Sequence, residues 1–343
     1  MNVHWNTLYV TTDGAYLHKD HDTVVVRVER QTKAQLPLLH LGSVVCFGRV
    51  SVSPELMAAM MEAGIHVAFF GHNGRFLARV EGMPGGNVLL RRQQYRTADD
   101  DAKSLSIARA MVIGKVANTR QFVLHARRDA ASPEKREALG QLTERLSLHL
   151  RSLLAATSLE TVRGLEGIAA KEYFGAFDAL VKRNEEAFAL HGRTRRPPRD
   201  RMNALISFGY ALLMQDCASA AAGVGLDPAV GYLHEERPGR LCLALDLMEE
   251  LRAPVVDRLM VSLVNRGQLG PDSFDEEEGG GIRLKDAARK TVLVAYQEAK
   301  AGEVRHEILE QDTVWGRVPH LQAQLLARTL RGDLEVYAPF SIR

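Results

Sequence analysis

The sequence predicts an α+β chain, with a small N-terminal β-strand domain over residues 1–85 and a larger all-α domain over 86–343 carrying the candidate site. Three observations carry this reading. Short runs of β-branched and aromatic residues, bounded by Gly, Asp or Asn, fill the first eighty or so positions. From about Arg91, long breaker-free stretches with apolar spacing near 3.6 take over and continue to about residue 330. Between the two textures, GMPGGN at 82–87 marks a linker near 83–90.

Taken in order, the strands are TVVVRV (23–28), SVVCFG (43–48), HVAFFG (66–71) and FLARVEG (76–82). One helix interrupts them. Ser53 is placed to cap it, Pro54 suits its first position, LMAAMM follows, and Gly64 suits its end. HNGR at 72–75 is a hairpin turn centred on Asn73 and Gly74. In the helical part, loops are expected at 131–133, 191–198, 223–228, 236–239 and 270–281, with GGG at 279–281 as a flexible linker.

Composition bounds the function. Hydrophobic residues at 46% and charged residues at 25% give an ordinary globular chain with material for a sizeable core. No uninterrupted apolar run approaches the ~18 residues of a membrane span, and MNVHWNTLYVTTDG lacks the zones of a signal peptide. Three widely spaced cysteines suggest neither a disulfide framework nor a thiolate zinc site, so the chain reads as cytoplasmic. A net charge of +2 does not argue for nucleic acid, but the charge is segregated. GRTRRPPRDR carries five arginines against one aspartate, whereas PDSFDEEEGGG has five acids and no base. The arginine-rich loop at 193–201, next to Pro-Pro, is expected to be mobile without DNA.

Three stretches could carry chemistry. In TVRGLEGIAAKEYFGAF, Glu166 lies between Leu165 and Gly167 in an otherwise apolar segment. Glycines within a helix cost about 1 kcal/mol each relative to alanine, so a pair around an acid suggests close backbone packing or space for something bound. In PPRDRMNALISFGYALL, Asp200 can cap a helix on which Asn203, Ser207 and Tyr210 make one polar stripe. Such neutral donors can hold phosphate oxygens or orient a carboxylate, or the stripe can simply face water. In HEERPGRLCLALDLMEELR, Asp246, Glu249 and Glu250 share one helical face just after His234. This pattern leaves two readings open, a solvated acidic stripe and a divalent-metal site with mixed nitrogen and oxygen ligands. No Gly-rich phosphate loop, HExxH motif or nucleophilic triad competes with them.

Together these stretches resemble the CRISPR-associated integrase/endonuclease of spacer acquisition, the "Cas one" family. The resemblance runs over nearly the whole chain, through QQYR with Arg92 and Gln94, IGKVANTR with Lys115 and Asn118, and GLEG with Glu166. It continues in RRPPRDRMNALISFGYALL with Asn203 and Tyr210, and in GYLHEERPGRLCLALDLMEELRAPVVDRL with His234, Asp246 and Glu249. The DEEEGGG stretch looks like that of the type I, C-subtype members.

The resemblance implies a β-strand domain followed by a helical domain with a divalent-metal site, Mg²⁺ or Mn²⁺. Glu166, His234 and Glu249 would be the metal ligands, with Asp246 beside them in the catalytic set. Many relatives have aspartate at the last position, so either Glu249 or Glu250 could reach the metal; Glu249 keeps the three-residue spacing from Asp246. Arg92, Lys115, Asn118, Asn203 and Tyr210 would bind DNA or support the site. The implied reaction joins 3′-hydroxyl ends of captured DNA fragments to the repeat array by transesterification. The implied partners are DNA, a second copy of the chain in a homodimer, the small second adaptation protein "Cas two" and a Cas-four nuclease, with no membrane. Two other classes compete: a non-catalytic DNA-binding scaffold whose acidic helix is merely solvated, and a general metal-dependent phosphoesterase.

Overall fold

The computed structural model describes residues 6–72, 74–82, 88–194 and 197–342. The chain divides into two compact units, Met1–Gly86 and Asn87–Arg343.

Among the described residues, the first unit holds eight strands in two sheets. They are β1 (Thr7–Val10), β2 (Tyr16–Asp20), β3 (Thr23–Val28), β4 (Gln31–Pro37), β5 (Ser43–Phe47), β6 (Ser51–Val52), β7 (His66–Phe70) and β8 (Phe76–Val80). One sheet has the order β1-β5-β7-β8, parallel except for the last pair, and the other has the order β4-β3-β2-β6. Helix α1 (Pro54–Glu62) packs against β2 and β7 and puts Leu56 and Met60 into a core with Leu17, Val24, Val44 and Cys46. Ser53 caps α1 by accepting the Leu56 amide at 3.2 Å, and Gly64 ends it at φ 70°. Strands β3, β5, β7 and β8 fall within the apolar runs, while β1, β2, β4 and β6 lie outside them. Of the expected turn, Asn73 lies outside the described residues.

The second unit is mostly helical. Its helices are α2 (Val88–Ala98), α3 (Asp101–Arg128), α4 (Pro133–Ala155), α5 (Leu159–Gly175), α6 (Arg201–Gly223), α7 (Cys242–Glu249), α8 (Arg258–Asn265), α9 (Asp286–Ala301) and α10 (Val318–Arg331). Residues 88–90 of the expected linker form the first turn of α2, and 83–87 lie outside the described residues. Helix α3 packs against α4, α5 and α7, while α6 packs against α7 and α10. Among the described helices, α6 is long and apolar enough by composition to cross a membrane. It passes instead through the interior, with 72% of its most apolar window buried.

Two expectations are corrected here, and a third segment shows contacts that its sequence does not announce. The second unit is not all-α: it holds two hairpins, β9 (Phe274–Glu277) with β10 (Gly281–Leu284), and β11 (Glu303–His306) with β12 (Gln311–Val314). The glycine run is not a linker but the β9–β10 turn, where Gly279 and Gly280 take φ 101° and 76°. The arginine-rich loop is anchored at both ends. Arg193 stacks over the rings of Phe174 and Tyr210 at 5.6 and 5.5 Å, and Arg201 donates to the Ala187 carbonyl at 3.2 Å. Stacking and backbone bonds outweigh like-charge repulsion at these two positions. Arg195 and Arg196 lie outside the described residues.

Candidate active site

Helix α7 enters the core without a solvated face. Asp246 and Glu250 are fully buried and Glu249 is 3% exposed, which removes the solvated-stripe reading and with it the premise of the scaffold class. The three carboxylates also part company. Asp246 turns to the loop before the helix, Glu249 faces a cavity, and Glu250, at the helix end, points toward Tyr337 and Phe340. The helical wheel groups them by angle alone, whereas partners on three different elements separate them.

Asp246 organises the segment that carries His234. Its Oδ2 accepts the amides of Tyr232 and Leu233 at 2.6 and 3.0 Å, and its Oδ1 accepts the His234 amide at 3.1 Å. The same Oδ1 lies 2.6 Å from His234 Nδ1. Facing a carboxylate, Nδ1 carries the ring proton, and a neutral ring then leaves its lone pair on Nε2. That nitrogen lies 3.7 Å from Glu249 Oε1. Gly231 makes the turn possible, because a Cβ there would sit 2.5 Å from Asp246 Oδ2. Arg163, one turn before Glu166 on α5, donates to the Leu233 carbonyl at 2.6 Å and ties α5 to the histidine segment.

Glu166, His234 and Glu249 all line one cavity of about 160 Å³, together with Lys115 and Arg252. The Lys115 ammonium, from α3, stands between the carboxylates. It donates to Glu166 Oε1 and lies 2.7 Å from Glu249 Oε2. Among the described residues, no three His, Cys, Asp or Glu side chains are grouped closely enough to hold an ion together. Lys115 was expected to bind DNA or support the site; here it is paired within the protein and only 14% exposed.

Charge at Glu249 is held by its neighbours. Burial alone would raise its pKa, but Arg252, Lys115 and His234 outweigh burial and keep it down at about 2. Arg252 reaches Glu249 Oε1 at 2.8 Å and lies 4.6 Å above the Tyr210 ring. It starts a π-helical segment, Arg252–Asp257, that follows α7 and turns Asp257 toward the same cavity. Asp257 accepts the hydroxyls of Tyr210 and Tyr173 at 2.8 and 2.9 Å. Burial raises its pKa to about 6 against the lowering effect of those two bonds.

The supporting residues divide. Tyr210 lines the cavity, so its stripe faces the interior and not water. Asn203 is fully buried. Its Oδ1 accepts from Arg193 Nη1 and the Thr194 amide at 2.5 and 3.1 Å, so it orders the preceding loop and has no face for phosphate. Asn118 is also fully buried, bonded to the Glu250 and Phe340 carbonyls, and cannot touch DNA. Arg92 is exposed on α2 and does not line the cavity.

Most of the chain that carries these elements is matched by a family model. That for CRISPR associated protein Cas1 matches residues 8–298. The chain belongs to the Cas1 family. It is 49% identical to CRISPR-associated endonuclease Cas1 1 of Moorella thermoacetica, over 100% of both chains. It is 32% identical to a Cas4 exonuclease/Cas1 endonuclease fusion of Geobacter sulfurreducens, covering 98% of this chain and 60% of the fusion. Among solved structures, a Cas1 protein from Thermotoga maritima superposes with a TM-score of 0.81 at 26% identity, covering 98% of this chain and 100% of that one.

Arg252, Asp257 and Tyr173 complete the cavity of this Cas1 chain and were not singled out from the sequence. The signal available was Pro254, a helix breaker inside RAPVVD immediately after the acidic helix. It marks a distorted turn without saying which side chains that turn redirects.

Proposed function

We propose that the cavity of Glu166, His234 and Glu249 is the divalent-metal centre at which this Cas1 chain performs strand transfer. Family membership makes the chain an endonuclease and integrase of CRISPR adaptation. One observation supports locating the chemistry here: two carboxylates share a cation, the Lys115 ammonium, beside an imidazole whose Nε2 is left free by Asp246.

The donor types fit Mg²⁺ or Mn²⁺, although in this structure the Lys115 ammonium stands between Glu166 and Glu249. Glu249 Oε2 is buried and accepts no hydrogen bond in good geometry, and the Lys115 ammonium lies 2.7 Å from it. Carboxylate oxygens together with one imidazole nitrogen suit manganese and are tolerated by magnesium. Glu166, His234 and Glu249 would hold the ion, with Asp246 fixing the imidazole from behind. When bound, the ion supplies Lewis-acid polarisation of the scissile phosphate.

The remaining work falls to the chain. Asp246 keeps the proton of His234 on Nδ1, and Arg252 holds Glu249 ionised and oriented. In the joining reaction the fragment's 3′-oxygen forms a bond to phosphorus at the repeat boundary. The fragment's hydroxyl gives up its proton, the bond from that phosphorus to the 3′-oxygen of the preceding nucleotide breaks, and this leaving oxygen takes up a proton. Water in place of the 3′-hydroxyl gives hydrolysis. The exposed position of Arg92 on α2 supports a role in meeting phosphates without sequence choice.

The DEEEGGG stretch supports assignment to the C subtype of type I systems. The Cas4 fusion of Geobacter supports a Cas-four partner. The family resemblance supports the second adaptation protein and a second copy of the chain as partners, and the composition supports a cytoplasmic location. The test is integration of a short duplex into a supercoiled plasmid with Mn²⁺, with and without chelator. Product that survives complete chelation would remove the metal from the mechanism.

A further inference from the structure

We propose that the segment 337–342 is a strap that positions the active-site helix α7 against α3, with Asn118 and Glu250 as the positioning residues that fasten it. The inference rests on the metal-centre reading above and deepens it.

Glu250 follows Glu249 directly, but its side chain leaves the cavity. Its Oε1 accepts the Tyr337 hydroxyl at 2.7 Å, and its Oε2 accepts the Phe340 amide at 2.7 Å and Gln322 Nε2 at 2.8 Å. Asn118 holds the same segment from α3. Its Nδ2 donates to the carbonyls of Glu250 at 2.7 Å and Phe340 at 2.9 Å, and its Oδ1 accepts the Ile342 amide at 2.9 Å. Glu250, Asn118 and Gln322 are all fully buried. The Glu250 carbonyl is one that the end of α7 would otherwise leave without a partner.

A separate observation comes from Gly114, the residue before Lys115. A Cβ there would meet Pro339 Cβ at 2.7 Å and Glu250 Cγ at 3.1 Å. The strap therefore lies directly on the turn of α3 that presents Lys115, with no side chain between. Lys115 has Gly114 beside it and Asn118 one turn on, and Glu249 has Glu250 beside it. Both partners of the Lys115–Glu249 ion pair thus have their backs to one strap. A shift of the strap moves one partner relative to the other, because adjacent residues on a helix cannot move independently. Ligand geometry tolerates little such error.

The test is a Mn²⁺ titration of the full chain, followed through the electron paramagnetic resonance signal of the free ion, beside a melt and a duplex-DNA titration in chelator. Glu250→Ala and Asn118→Ala are expected to weaken Mn²⁺ binding about tenfold, the size of effect seen when groups behind a ligand are removed. DNA affinity in chelator and a cooperative melt should both remain. Glu250→Gln should stay close to wild type. Its amide oxygen can accept from Phe340 and Gln322 while its NH₂ donates to the Tyr337 hydroxyl. A residue that matters only to the fold would move the melt and leave Mn²⁺ binding of the folded protein unchanged. Folded alanine variants that bind Mn²⁺ like wild type overturn the strap, as does Glu250→Gln failing as fully as Glu250→Ala. Should the alanine variants not fold, Tyr337→Phe removes one hydroxyl and keeps the ring. A weaker but measurable loss of Mn²⁺ binding is then expected, and none overturns the proposal. A wild-type chain that binds no Mn²⁺ overturns the metal reading itself, before any variant is compared.

Discussion

Asp246 Oδ1 lies 2.6 Å from His234 Nδ1, and the same carboxylate collects the backbone amides of residues 232, 233 and 234. One buried side chain therefore sets both the path of the segment and the tautomer of the ring it carries. Asp246→Asn tests this with almost no change of shape. An amide has one oxygen for these donors, and its NH₂ facing the ring would make Nδ1 the acceptor and move the proton to Nε2. Integration should slow by roughly 10- to 100-fold with DNA affinity unchanged. A rate equal to wild type would take Asp246 out of the site.

His234→Ala and Glu166→Ala should abolish strand transfer and leave DNA binding largely intact. Affinity for DNA comes from many Lys and Arg contacts to phosphates, whereas the chemistry depends on a few groups around one cavity. Plasmid integration with Mn²⁺, beside a binding titration at fixed salt, separates the two. Normal integration by either variant would refute the assignment.

Gly164 and Gly167 have open space where a Cβ would stand, so nothing in this chain requires them to be glycine. They flank Glu166 on the exposed side of α5. Replacing both with alanine should stabilise the protein by about 1–2 kcal/mol through helix propensity. It should also slow integration, if bare helix backbone is what lets a DNA strand approach Glu166. A more stable protein with undiminished integration would mean that no such approach occurs.

Asp257 gives a pH signature. Burial raises its pKa from 3.8 to about 6, so the folded chain keeps this proton where the unfolded chain has released it. Its contribution to stability is complete below 3.8 and is lost as pH rises through about 6. Asp257→Asn keeps partners for Tyr173 and Tyr210 and removes the titration. Relative to wild type, the variant should gain on the order of 2–3 kcal/mol between pH 4 and pH 7.5 in denaturant melts. A gap that stays constant with pH would contradict the shift.

Legibility followed how local each determinant was. Strands β3, β5 and β7 and helix α1 could be read because their apolar residues and caps lie within a few positions of each other. Strand β4 could not, because QTKAQLP is mostly exposed and polar, and its pairing with β3 supplies the order its side chains do not. The hairpin at 274–284 looked like a linker because acids and glycines dominate it. The structure uses two of those glycines for their positive φ. At the site, Glu166, His234 and Glu249 stood out as polar residues in apolar settings. The roles of Lys115, Asn118 and Glu250 depended on partners 51 to 224 residues away, which no local pattern encodes. The contacts of Arg193 were illegible for the same reason: its stacking partners, Phe174 and Tyr210, belong to other helices.

Cys46 in the first unit's core, Cys217 inside α6 and Cys242 at the start of α7 are free thiols, and all three are buried. Burial raises each thiol's pKa, to about 12 for Cys46, so little reactive thiolate forms near neutral pH. The native protein is thus already a quiet background for maleimide labelling. A single cysteine introduced at exposed Leu148 or Val294, away from the candidate site residues, could carry a spin label or fluorophore with the three native thiols left in place. Distances between such probes would follow DNA and partner engagement in the otherwise unaltered chain.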